Sequence, residues 1–139
     1  MILITGASGN VGGEVIRLFE QHGERCIAAG RSNRWQNNAI IDYRYFDLDQ
    51  PESYDAAKGV GAVFLVRPPQ VSNIKKTVAP FLRKCKEFGV KKVVFLSIVG
   101  APKVPFIPHH AIEKEIERLG FSHTFLRAGF FMQNLSTTH

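Results

Sequence analysis

A short apolar run, Ile2-Leu3-Ile4-Thr5, passes without a spacer into Gly6-Ala7-Ser8-Gly9-Asn10-Val11-Gly12. After the glycines, Val11, Val15, Leu18 and Phe19 recur at helical spacing. A strand that empties into glycines and then into an amphipathic helix points to the opening of a doubly wound α/β sheet. Gly6 allows a tight turn, Gly9 lets the backbone approach a diphosphate, and Gly12 lets the helix pack close to the strand, with Ser8, Asn10 and Val11 completing the loop. The helix N-terminus supplies N–H groups and a partial positive charge, which suits an anion. The spacing is G-x-x-G-x-x-G, not the G-x-G-x-x-G of the standard dinucleotide fingerprint, so the flanking strand and helix carry the assignment.

The rest of the chain alternates strand and helix with short joins. Strands are expected at 2–5, 25–30, 43–46, 62–66, 92–96 and 122–126. Helices are expected at about 11–22, 50–58, 74–88 and 109–119. Pro51 stands near the start of the second helix, a favoured place for proline. Pro80 predicts a kink or a late start in the third. The run from Lys92 to Leu96 is nearly all apolar, the pattern of a strand buried on both faces. Such alternation implies a Rossmann fold, a parallel sheet in the order 3-2-1-4-5-6 with helices on both faces. Its ligand crevice lies where that order reverses, at the carboxyl ends of strands one and four.

Bulk properties narrow the class. With 139 residues, 45% of them hydrophobic, the chain is one domain with a real core, not a disordered segment. Its apolar runs are of strand length, too short to span a membrane. Met1 starts the first strand, leaving no room for a signal peptide. Cys26 and Cys85 fall in separate apolar segments, as expected of reduced, buried thiols in a cytoplasmic protein. The net charge of +6 comes from scattered groups such as Lys75-Lys76, Arg83-Lys84-Lys86 and Lys91-Lys92. They read as solvated helix and strand ends, and nucleic acid is not an expected partner.

Cofactor choice is read after the second strand. An NAD site usually places Asp or Glu there to bond the ribose 2′-OH. Here the chain reads Gly30-Arg31-Ser32-Asn33-Arg34, without a carboxylate. A planar guanidinium suits a 2′-phosphate, so Arg31, supported by Ser32 and Arg34, marks an NADP(H) site. Asp47 and Leu48 end strand three, where an adenine edge would lie; Asp47 equally suits a helix cap. Val66-Arg67-Pro68-Pro69 ends strand four beside the expected nicotinamide ribose, and Ser97 ends strand five toward the same crevice. His109 and Glu113 are spaced as a helical metal pair, but no third ligand is visible, and no metal is expected.

Together, ITGASGNVG, AAGR, VFLVRPP, KKVVFLSIVGA, PHHAIEKEIERLG and TFLRAGFFMQNL resemble the NmrA-like branch of the atypical short-chain dehydrogenase/reductases, from Met1 to about Leu135. The resemblance implies an NADP-binding Rossmann domain over residues 1–139. It also implies either hydride transfer from NADPH to a quinone or similar small acceptor, or a sensor that binds NADP and reports to a protein partner. The Tyr-x-x-x-Lys pair of typical short-chain dehydrogenases falls on Pro105 and His109, so the usual acid is absent. His109 with Glu113 four residues on resembles the quinone-reductase-like members, which gives His109 a catalytic role in orienting the nicotinamide ribose. Family members continue past Leu135 with a substrate-binding segment, so the chain looks like the cofactor half. A truncated, inactive remnant is a third reading. The apolar Phe130-Phe131-Met132 would then favour self-association.

Overall fold

A computed structural model describes residues 1–32, 38–68, 73–104 and 107–129. Six strands, β1 (Ile2–Ile4), β2 (Cys26–Gly30), β3 (Ile41–Tyr45), β4 (Ala62–Leu65), β5 (Lys92–Ile98) and β6 (Ser122–Ala128), form one sheet in the order β3-β2-β1-β4-β5-β6. All five ladders are parallel, with Leu3 opposite both Ile27 and Val63, and Phe95 opposite Phe125. Thr5, just past β1, extends the central pairing by one residue. Its hydroxyl donates to Phe64 O at 3.1 Å and accepts from the Val66 amide at 2.9 Å.

Alternation along the strands separates two cores. One face gathers Leu3, Ile27, Val63, Leu65, Val93 and Phe95 under α2 (Val78–Glu87), α3 (Pro108–Arg118) and a 3₁₀ helix at Pro51–Ala57. Phe46, Tyr54 and Phe81 pack there as tilted rings, Phe46 and Phe81 with centroids 4.7 Å apart. The other face puts Ile4, Cys26, Ala28 and Phe64 against Ile16 of α1 (Asn10–Gln21). Helices therefore cover both faces, and the strand order is the one read from the sequence.

Several boundaries differ for local reasons. Residues 51–57 wind as a 3₁₀ helix, not an α-helix. The Ser53 hydroxyl bonds back to the carbonyls of Asp47 and Gln50 at 2.8 and 2.7 Å, a side-chain competitor that tightens the turn. Helix α2 takes the late start, at Val78 and not Ile74, which puts Pro80 in the first turn where its missing N–H is harmless. The third strand occupies Ile41–Tyr45, and β5 and β6 each run two residues further than their sequence patterns suggest. Burial of β5 on both faces is also corrected. Val93, Phe95 and Ser97 are buried, but Val94, Leu96 and Ile98 are only half-buried. Helix α1 contacts β1 and β2, while Val94 and Leu96 of β5 pack only partly buried against the same core.

Candidate functional site

The end of β1 feeds a turn whose shape is dictated by what cannot be there. Gly6 has φ +65°, in the left-handed region, and its amide neighbourhood is closed by Gly9 N–H donating to Gly6 O at 2.9 Å. A Cβ on Gly12 would stand 2.2 Å from Gly6 O, so only glycine lets α1 come down onto the strand. Gly13 N–H, bonded to Gly9 O at 2.9 Å, is the first amide of α1 to bond back. The amides of Val11 and Gly12 thus lack an intrahelical acceptor, and no acidic residue stands in the first turn to oppose an anion. Ser8, Gly9 and Asn10 are exposed.

This turn is the floor of a cavity of about 430 Å³ lying across the carboxyl ends of the first four strands. Gly6, Ser8, Gly9, Asn10, Val11 and Gly12 line it at the α1 side. Arg31 lines it past β2, Asp47 and Leu48 past β3, and Val66, Arg67 and Pro68 past β4. Sequence reasoning missed Thr5, Gly30, Phe46 and Asp49, which share these walls; each is a chain neighbour of a residue it named. Asp47 caps no helix. Its carboxylate accepts from the Asp49 amide at 2.9 Å, and its own amide donates to Ser53 Oγ at 2.9 Å, a turn that leads into the 3₁₀ helix. Ser32 is exposed beyond Arg31 and is not among the walls. Arg34, Pro69 and Pro105 lie outside the described residues, as does the apolar Phe130-Phe131-Met132.

Ser97 and His109 belong to a second cluster, where β5, α3 and β6 meet. Ser97 is fully buried and donates its hydroxyl to Glu113 Oε2 at 2.6 Å. Arg127 Nε and Nη2 donate to the two Glu113 oxygens at 3.1 and 2.9 Å, the bidentate geometry that guanidinium and carboxylate favour. Burial alone would push the Glu113 carboxyl up, but the Arg127 and Ser97 hydrogen bonds outweigh it and hold it below its ordinary value. One turn earlier on α3, the His109 ring stacks on Phe95 at 5.8 Å. Burial, and then the Arg67 charge, lower its pKa against a smaller opposite pull from Glu113. His110 turns away and bonds Ala101 O through Nδ1 at 2.8 Å. The Arg127 contact was missed because the sequence pattern ends strand six at Leu126; continued period-two alternation puts Arg127 on the Phe125 face.

Among the described residues no three His, Cys, Asp or Glu side chains come together as a metal site, and no helix is long and apolar enough to cross a membrane. Glu113 is occupied by Ser97 and Arg127, so it does not form a metal pair with His109. Cys26 and Cys85 are buried thiols, pushed up chiefly by burial to about 11 and about 12.

Comparison with known proteins agrees with this geometry. The model of the NmrA-like family matches residues 1–139. Prestalk A differentiation protein A of Dictyostelium discoideum is 32% identical over 97% of this chain and 46% of its own length. An NAD(P)H azoreductase of Xenophilus azovorans is 30% identical over 97% of this chain and 50% of its own. Among solved structures, the chain superposes on an NADPH-dependent quinone oxidoreductase of Escherichia coli complexed with NADPH, with TM-score 0.81, 25% identity, and coverage of 99% of this chain and 52% of that one. A Citrobacter sp. triphenylmethane reductase complexed with NADP(H) gives 0.78 at 27% identity, with 91% and 49% covered. The chain thus spans about half the length of the relatives it matches.

Proposed function

The chain belongs to the NmrA-like family, and on that premise we propose that residues 1–139 are an NADP(H)-binding Rossmann domain serving hydride transfer to a quinone or similar small acceptor. The observation that carries this reading is the turn at Gly6–Gly12, opening onto the cavity with the first turn of α1 at its floor and no room for a Cβ on Gly12 against Gly6 O. The diphosphate is held by those amides and by the end of the α1 dipole. Arg31 takes the 2′-phosphate as a charge-assisted pair, and Asp47 and Leu48 border the adenine. NADPH brings the hydride; the chain's part is to fix it at near-attack distance and to exclude water. His109, half-buried and biased toward the neutral form, both donates and accepts hydrogen bonds, which suits a ribose hydroxyl. Ser97 supports the same junction through Glu113. The reading puts the protein in the cytoplasm, a compartment that keeps thiols such as Cys26 and Cys85 reduced.

Fluorescence titration with NADPH and NADH tests the assignment. Arg31→Ala should weaken NADPH by about 1–3 kcal/mol, the range for losing a charge-assisted hydrogen bond, and leave NADH nearly unchanged. Equal losses for both nucleotides would refute the 2′-phosphate role. NADPH oxidation with a panel of quinones then separates a reductase from a sensor, since tight binding without turnover favours the sensor.

A further inference from the structure

Two successive carbonyls at the end of β2 are held by different neighbours. Ala29 O accepts from the Ala7 amide of the glycine turn at 3.3 Å. Gly30 O accepts twice, from the Phe46 amide at 3.0 Å and from the Tyr43 hydroxyl at 2.8 Å, which engages both lone pairs of the oxygen. The Gly30 carbonyl and the Arg31 N–H belong to one planar peptide. Whatever holds the first therefore also fixes the backbone from which the Arg31 side chain departs. Arg31 is exposed on the cavity wall. The Tyr43 ring packs partly buried against the core shared with α1. Burial, and then Tyr45, push its phenol up, so the hydroxyl keeps its proton and donates. Of the two donors on Gly30 O, only Tyr43 is a side chain.

We propose that Tyr43 is a positioning residue for cofactor choice: its hydroxyl orients the Gly30–Arg31 peptide so that the Arg31 guanidinium meets the 2′-phosphate of NADP(H). This rests on the assignment of Arg31 to that phosphate and deepens it. A guanidinium aimed before the nucleotide arrives loses less freedom on binding. The benefit falls on the nucleotide that carries the extra phosphate, so the hydroxyl sharpens selectivity without touching the ligand.

Tyr43→Phe keeps the ring in the core and removes only the hydroxyl. NADPH and NADH are titrated by fluorescence against the wild type, Tyr43→Phe, Arg31→Ala and the double variant. Tyr43→Phe should weaken NADPH about three- to tenfold, the span of one neutral hydrogen bond, and move NADH by less than about twofold. The ratio of the two affinities cancels any loss of folded protein, which lowers both alike. In the Arg31→Ala background the same change should shift NADPH by less than about twofold, because the hydroxyl acts through the arginine. An unchanged NADPH affinity in Tyr43→Phe overturns the proposal, since the Phe46 amide then holds the peptide alone. Equal losses for both nucleotides overturn it as well, by making Tyr43 a support of the fold, and so does a selective loss that persists without Arg31. If Arg31→Ala itself leaves the NADPH-to-NADH ratio of the wild type, the 2′-phosphate reading falls and takes the proposal with it. A failure confined to Tyr43→Phe leaves that reading standing.

Discussion

The two sides of the crevice are built on opposite plans. Over β1 and α1 the chain makes space: glycine stands where a Cβ would collide, first-turn amides have no intrahelical acceptor, and Ser8, Gly9 and Asn10 face solvent. Over β5, α3 and β6 it fills space: Ser97 is fully buried, Glu113 is 3% exposed, and every Glu113 oxygen has a donor. The first side leaves the amides of Val11 and Gly12 without an acceptor inside the helix, and the second satisfies its own groups. Damage to the first should therefore abolish binding, whatever it also costs in stability, and damage to the second should cost stability and spare binding.

Gly12→Ala is the harshest way to break that comparison. Its Cβ meets backbone, not a flexible side chain, at 2.2 Å, so α1 must move off β1. We expect a loss of about 3 kcal/mol in urea unfolding, at the upper end for overpacking, and NADPH binding lost with it. Unchanged stability would mean that the close approach of helix and strand is not obligatory. Glu113→Gln should separate the two effects, costing about 1–2 kcal/mol for the weakened hydrogen bonds while NADPH affinity stays within about threefold.

The same variant sharpens the comparison with pH. The folded carboxyl of Glu113 lies below its ordinary value, so its contribution is complete above the unfolded pKa of about 4.3. That contribution is lost as pH falls through the lower, folded value. Unfolding free energy of the wild type should fall more steeply below about pH 4.3 than that of Glu113→Gln; parallel curves would show that the carboxylate is not held as the geometry requires. The smallest effect concerns the thiols. With pKa values near 11 and 12 and no exposure, Cys26 and Cys85 should resist iodoacetamide at pH 8 until the chain unfolds, since the thiolate is the nucleophile.

The contrast also explains what could be read from the sequence. The making of space is written in local chemistry. Gly6, Gly9 and Gly12 follow a strand, Arg31 stands where a carboxylate usually does, and Val66 to Pro68 end an apolar run; all line one cavity. Its neighbours Thr5, Gly30, Phe46 and Asp49 were overlooked because a wall is a surface, and the residues beside a motif share it without carrying any mark. The filling of space depends on pairs far apart in the chain. Nothing in the segments around Glu113 and Arg127 announces that α3 and β6 bring them together. The 3₁₀ winding of residues 51–57 likewise turns on Ser53 reaching Asp47, six positions back. A half-covered β5 reflects which elements lie over it, which an apolar run by itself cannot encode.

The position of β1 in the sheet has a consequence for how this domain comes into being. Of the six strands the first to be synthesised is central, and its second neighbour, β4, is joined to it through Thr5 and Phe64 across 59 positions of chain. A growing polypeptide can pair β1 with β2 soon after α1 forms, but must wait for β4 to complete that pairing. Closure across such a span makes folding slow relative to a helical bundle, and it leaves a transient sheet margin that is open to mispairing during synthesis.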